Sequence, residues 1–258
     1  MARTIVITGA SSGIGRALAL AFAGADVHLG LLGRDGERLA GVAAACRAAG
    51  AEVETALIDV RNRAEMAAWL ERLDDVHPVD LLFANAGVME GTPPGGDIEP
   101  AEAAYRLMNI NVLGMMNTVQ PLLPRMMARR SGQIAIVSSL AGLIPLRDSP
   151  SYCASKSAAL AYGLSLRDLL GASGIGVSVI CPGYVTTPMS QKEICEKPFE
   201  MPAEQAADII LRGLARNKAV IAFPAWFAFL TRLGGLLPDR LRERVTRSSR
   251  FSVGATED

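Results

Sequence analysis

Tyr152 and Lys156 stand four residues apart in Tyr152-Cys153-Ala154-Ser155-Lys156. On a helix this spacing puts both side chains on one face, where the ammonium can act on the phenol. A phenol with an ordinary pKa of ~10 is a poor proton carrier at neutral pH unless a nearby cation stabilises its phenolate. The pair would then supply a general acid/base without histidine, in a chain whose only histidines are His28 and His77. Upstream, the apolar run Ile134-Ala135-Ile136-Val137 ends at Ser138-Ser139. A hydroxyl at the carboxyl end of a parallel strand lies where such sheets bind ligands. The plain alternatives are a chance helical pair and a serine capping a loop.

Near the N-terminus, the apolar run at Thr4 to Thr8 passes into Gly9-Ala10-Ser11-Ser12-Gly13-Ile14-Gly15 and then an Ala/Leu-rich helical stretch. Glycines there let the backbone turn sharply and let a pyrophosphate approach the helix N-terminus, whose free N–H groups and dipole favour an anion. The spacing is G-x-x-x-G-x-G, not the G-x-G-x-x-G of the usual dinucleotide fingerprint. A bare strand-to-helix turn is the competing interpretation.

The elements that must position these groups follow from periodicity. Strand-length apolar runs occur at 4–8, 27–32, 53–58, 80–84, 133–138, 176–181 and 218–223, with helical stretches near 14–24, 35–48, 62–73, 101–128, 152–171 and 203–216. Most of the runs are continuously apolar, as expected of parallel strands covered on both faces. Sustained alternation implies an α/β fold: a single-domain, doubly wound, Rossmann-type parallel sheet of about seven strands with helices on both faces. Residues 1–223 form this domain, and 224–258 follow as a tail.

Composition narrows the function. Half the residues are hydrophobic, and Lys+Arg 26 balance Asp+Glu 26. A nucleic-acid partner is therefore not expected, since phosphate binding calls for a basic excess. The four cysteines, Cys46, Cys153, Cys181 and Cys195, form no C-x-x-C pair and have no histidine cluster near them. They suggest free thiols in a reducing cytoplasm, with no metal site. No signal peptide is expected, and the apolar stretch from Ala219 to Leu237 is broken by Pro224, Arg232 and Gly234-Gly235, so it fails as a membrane span.

Thr8 to Gly15, Asn85-Ala86-Gly87, Asn111-Val112-Leu113-Gly114, Ser139, Tyr152 with Lys156, and Pro182-Gly183 fall in the order of the short-chain dehydrogenase/reductase family. The chain resembles that family over roughly residues 3–190. Any one of the motifs is weak; together and in order they are specific. The resemblance implies an NAD(P)-dependent oxidoreductase moving hydride between a nicotinamide and a small-molecule carbonyl or alcohol. Tyr152 would exchange the proton with the substrate oxygen, Lys156 would lower the Tyr152 pKa and hold the nicotinamide ribose, and Ser139 would bond the carbonyl oxygen. Asn111 would interrupt its helix and position a water linking Lys156 to solvent. Gly9, Ser11, Ser12, Gly13, Ile14 and Gly15 would hold the pyrophosphate. Asp59 and Val60 would meet adenine, and Asn85, Ala86 and Gly87 would line the next strand end. Pro182, Gly183, Val185 and Thr187 would fix the carboxamide. The family also implies a homodimer or homotetramer. Two rival functions are a sugar-nucleotide epimerase, for which the chain leaves little room, and a non-catalytic dinucleotide-binding regulator, which would need no acid-base group.

Cofactor choice has a physical argument of its own. NAD-selective enzymes end the second strand with an acid that binds the ribose 2′-hydroxyl. Here Val27-His28-Leu29-Gly30-Leu31-Leu32 is followed by Gly33-Arg34-Asp35. Gly33 stands in the acid's place, and the fork of Arg34 suits a 2′-phosphate, which points to NADP(H) over NAD(H). In the alternative, Asp35 neutralises Arg34.

Specificity is expected in the loop after Ser139, the segment after Thr187 and Tyr184. Leu143, Ile144, Leu146, Met189, Phe199 and Met201 make these mainly apolar and favour a hydrophobic substrate. In the tail, Ala225-Trp226-Phe227-Ala228-Phe229-Leu230 precedes Arg240, Arg242, Arg244, Arg247 and Arg250. Such a segment suits either a subunit contact or a peripheral membrane surface with anionic headgroups, which would admit a lipid-linked substrate.

Overall fold

A computed structural model describes residues 3–96, 98–235, 237–238, 240 and 252–253. The chain runs β1 (Arg3–Thr8), α1 (Gly13–Phe22), β2 (Val27–Leu32), α2 (Gly36–Ala48), β3 (Glu52–Ala56), α3 (Arg63–Val76) and β4 (Val79–Ala84). It continues through α4 (Ala101–Met108), α5 (Gly114–Val119), α6 (Leu123–Arg129), β5 (Gly132–Val137), α7 (Pro150–Leu170) and β6 (Ile175–Pro182). Then come β7 (Val185–Thr186), β8 (Glu193–Ile194), β9 (Met201–Pro202), α8 (Ala203–Ala215), β10 (Val220–Phe223), α9 (Ala225–Gly235) and β11 (Ser252–Val253).

Seven of these strands form one sheet in the order β10-β6-β5-β4-β1-β2-β3, every neighbouring pair parallel. Successive side chains of a strand point to opposite faces, and here both faces are covered. Ile5 and Ile7 of β1 bury against Leu18 of α1 and Ile210 of α8, while Val6 between them joins Leu70 of α3 and Val119 of α5 on the other face. That is why the strands appear as unbroken apolar runs. The order reverses between β1 and β4, so connections leave in opposite directions there and open a crevice at the carboxyl ends.

The expected helix over 101–128 is broken. A π-helical turn at Asn109–Leu113 follows α4, and a 3-10 turn at Gln120–Leu122 separates α5 from α6. Pro121 lacks the N–H an unbroken helix needs. Gly114 lies against Val60, where a Cβ would come within 2.5 Å of Val60 Cγ2. The two-residue strands escaped the periodicity argument because so short a run shows no period: β7 pairs with β9, and β8 with β11. Helix α9 forms despite Gly234. Arg242, Arg244, Arg247 and Arg250 lie outside the described residues.

Candidate active site

The crevice begins at the β1–β4 junction. Thr8 Oγ1 donates to the Phe83 carbonyl at 3.1 Å and accepts from the N–H groups of Asn85 and Ala86, each at 3.1 Å. Asn85 Nδ2 donates to the Thr8 carbonyl at 2.8 Å, locking the two strand ends together. Gly9 then turns with φ +68°, and a Cβ there would stand 2.9 Å from Ala86 Cα. Gly13 has φ +53° and faces Thr187, whose Cγ2 would be 3.0 Å from an added Cβ. At the N-cap of α1, Ser12 makes no side-chain cap bond, and the first turn carries no acidic residue. The helix start therefore presents free N–H groups and its positive dipole end to the crevice. This cradle fits a dinucleotide pyrophosphate.

One cavity of about 940 Å³ runs from this loop past the ends of β2, β3, β4, β5 and β6. Of the residues singled out in the sequence, Gly9, Ser11, Ser12, Gly13, Ile14, Arg34, Asp59, Val60, Asn85, Ala86, Gly87, Ser139, Tyr152, Lys156, Pro182, Gly183, Val185 and Thr187 line it. Gly15 and Asn111 are not in its wall. A Cβ on Gly15 would approach the Gly9 carbonyl oxygen to 2.2 Å, so its smallness lets α1 pack onto the turn. Asn111 supports the wall from behind. Its Oδ1 accepts from Val88 N–H at 2.8 Å, and its Nδ2 donates to the Val88 carbonyl at 2.9 Å and to Ser155 Oγ at 3.1 Å. The π-helical turn aims this side chain at the strand end, tying β4's extension to α7.

Helix α7 carries the acid-base pair. The Lys156 ammonium is buried, donates to the Val137 carbonyl at 3.1 Å and lies 5.6 Å from the Tyr152 ring centroid. Burial pulls its pKa down to about 8. The Tyr152 phenol is pushed above its ordinary value by burial first and by the Glu193 carboxylate second, while a hydrogen bond with Ser139 pulls the other way. The cation thus contacts the ring, whereas the groups that shift the hydroxyl are Glu193 and Ser139. The two serines divide the work. Ser138 is buried and donates to the Lys156 carbonyl at 2.7 Å, so it fixes α7 to β5. Ser139 faces the cavity, its Oγ accepting from Ala141 N–H at 3.1 Å.

At the far end, Arg34, Arg38 and Arg61 gather around the ends of β2 and β3. Asp35 caps α2 by accepting from Arg38 N–H at 2.9 Å, and its second oxygen takes Arg38 Nε at 2.5 Å. Asp59 is held below the usual carboxylate range chiefly by the hydrogen-bonded Arg61 guanidinium. Asp35 therefore serves Arg38, and Arg34 lines the cavity.

Beyond Tyr152 the walls are Leu140, Ile144, Leu146, Tyr184, Met189 and Phe227, with Thr231, Glu193 and the Glu90–Arg106 ion pair at 2.5 Å among them. Sequence reasoning anticipated the segments after Ser139 and Thr187 but missed Glu90, Arg106, Glu193, Phe227 and Thr231. None belongs to a spacing motif; only the fold brings them to the cavity. Among the described residues no cluster of His, Cys, Asp and Glu suits a metal ion, and no helix is long and apolar enough to cross a membrane.

Residues 3–197 match the family model described as short chain dehydrogenase. The chain belongs to that family. It is similar to an uncharacterized oxidoreductase of Myxococcus xanthus, 34% identical over 249 residues, 96% of this chain and 98% of that protein. It is 30% identical over 240 residues to estradiol 17-beta-dehydrogenase 11 of Homo sapiens, covering 92% of this chain and 79% of that protein. A short-chain dehydrogenase from Sphingobium yanoikuyae in complex with NADPH superposes with TM-score 0.78 at 29% identity, covering 96% of each chain. Other solved neighbours carry NAD. The protein is thus an oxidoreductase of CH–OH and C=O groups that uses a nicotinamide dinucleotide.

Proposed function

We propose that this dehydrogenase moves hydride between NADP(H) and a largely apolar carbonyl/alcohol pair, with Tyr152 as the general acid and base. The observation that carries the reading is the placing of Ser139, Tyr152 and Lys156 in one cavity continuous with the glycine-rich cradle. When bound, the nicotinamide gives hydride to, or takes it from, the substrate carbon. During reduction Tyr152 delivers a proton to the carbonyl oxygen, and Ser139 donates a hydrogen bond where negative charge grows. A phenol kept protonated by burial suits that direction. Lys156 holds its ammonium near the Tyr152 ring, where it would bond the ribose hydroxyls, and its hydrogen bond to the Val137 carbonyl fixes it there. Gly9, Ser11, Ser12, Gly13 and Ile14 hold the pyrophosphate, while Pro182, Gly183, Val185 and Thr187 fix the carboxamide side.

NADP(H) is favoured by Gly33 at the end of β2 and by Arg34, which Asp35 leaves to the cavity. Fluorescence titration with NADPH and NADH checks this. Wild type is expected to prefer NADPH at least tenfold, a difference of about 1.4 kcal/mol. Arg34→Ala should erase most of that preference while leaving the NADH curve in place. Equal loss for both cofactors would return Arg34 to a general structural role.

A second reading concerns α9. Trp226 is 51% exposed, Phe229 61% and Leu230 49%, and Phe199 stacks edge-on against Trp226 at 4.7 Å, next to the cavity-lining Phe227. Such a face is covered in use, either by another subunit or by a membrane surface holding the substrate. Ending the chain at Phe223 is expected to abolish oligomer formation or liposome co-sedimentation; loss of neither removes both.

A further inference from the structure

Glu193 is the charged group of the substrate end that the chemistry above does not use. It sits on β8 and lines the cavity with the apolar Pro188, Met189 and Phe227 and the hydroxyl-bearing Tyr184 and Ser190. Its carboxyl takes no hydrogen bond or ion pair from a described residue. Lys197 donates to the Ser190 carbonyl at 2.5 Å and attracts Glu193 only through its charge. The other carboxyl of the wall, Glu90, is paired with Arg106. Glu193 lines the same cavity as Tyr152 and Tyr184, and its charge acts on both hydroxyls. Its position is fixed from outside: Val253 of β11 is its register partner, so the chain's last segment clamps β8 in place.

A half-buried carboxyl without a hydrogen-bond donor is costly, and a ligand donor removes that cost. Building on the reductase reading, we propose that Glu193 is a specificity-determining residue that accepts a hydrogen bond from a hydroxyl on the substrate carbon next to the carbonyl. The preferred substrates are then apolar alpha-hydroxy ketones and the corresponding vicinal diols. A plain ketone of the same size would leave the carboxyl unpaired, and a site built for a hydroxyl rejects the analogue that lacks it.

Burial raises the Glu193 pKa to about 7. The ionised form is the stronger acceptor, so the preference should grow as pH rises through about 7 and shrink below it. The titratable groups facing Glu193 are Tyr152 from α7, Tyr184 from the β6–β7 connection, and Cys195, Lys197 and Glu200 from its own loop. The tyrosines and the thiol are all pushed upward by burial, and Lys156, pulled down to about 8, changes charge above Glu193, so the change centred at about 7 belongs to Glu193.

The test measures equilibrium binding of acetophenone and alpha-hydroxyacetophenone to the protein saturated with oxidised cofactor, and then turnover of both with reduced cofactor. Wild type is expected to bind the hydroxylated ketone at least tenfold tighter, with the ratio rising through neutral pH. Glu193→Leu should bring the ratio close to one, and Glu193→Gln, which keeps an acceptor oxygen, should restore part of it without the pH dependence. Equal binding of the two ketones by wild type, failure of both to bind, or a ratio untouched by Glu193→Leu overturns the inference. A hydroxyl preference in binding without hydride transfer would instead count against the reductase reading and leave Glu193 in place.

Discussion

The two ends of the cavity are built by different means. The cofactor end is made of strand termini: the Thr8 hydroxyl bonds to backbone groups of Phe83, Asn85 and Ala86, and the Asn85 side chain bonds back to the carbonyls of Thr8 and Gly9. The substrate end is made of two-residue strands, a 3-10 turn at Leu140–Gly142 and one face of α9. In the first region a side chain cannot move without the sheet. In the second, residues pack on one another and can be exchanged without disturbing the sheet. Chemistry shared by every substrate is therefore placed by the core, and selectivity is left to short appended pieces.

The sharpest way to separate the two ends is Tyr152→Phe. The phenyl ring can keep its packing and its contact with Lys156, so cofactor titration should follow the wild-type curve. Turnover loses its proton carrier, and kcat is expected to fall by about 10²–10⁴. Retained turnover would show that another group moves the proton.

That contrast also explains what was legible in the sequence. Apolar runs of strand length identified the seven strands of the main sheet, most of them continuous because strands buried on both faces need not alternate. Gly9, Gly13, Ser139, Tyr152 and Lys156 were visible since each is tied to a strand end or a helical repeat. Asn111 was visible as a motif, yet its contacts were not: the π-helical turn that aims it at Val88 has no periodic signature. The pairing of Arg38 rather than Arg34 with Asp35 depends on where α2 starts. Glu193 and Phe227 were invisible as site residues, since their approach depends on pairings as short as β8 with β11 and on the path of α9 after β10.

A middle-sized effect is expected from Gly9→Ala at the cofactor end. The residue must hold φ +68° with a methyl pressed against Ala86 Cα, and neither strand end can yield. A loss of about 1–3 kcal/mol in unfolding free energy is expected, read as a lower urea midpoint, together with weaker binding of either cofactor. Unchanged stability would mean that the β1–β4 junction is softer than its hydrogen bonds imply.

The smallest effect belongs to the substrate end. Phe227 reaches the cavity from α9 and packs in tilted contacts with Phe199 and Trp226, at 6.0 Å from each ring. Phe227→Ala removes one apolar wall and part of an aromatic cluster worth about 1 kcal/mol. The expected result is a roughly fivefold lower kcat/KM for an apolar ketone, carried by KM, with the cofactor curve in place. Should Phe227→Ala weaken cofactor binding as much as Gly9→Ala, the two ends would be mechanically coupled, with Gly13 against Thr187 as a place where the glycine loop and the substrate segment meet.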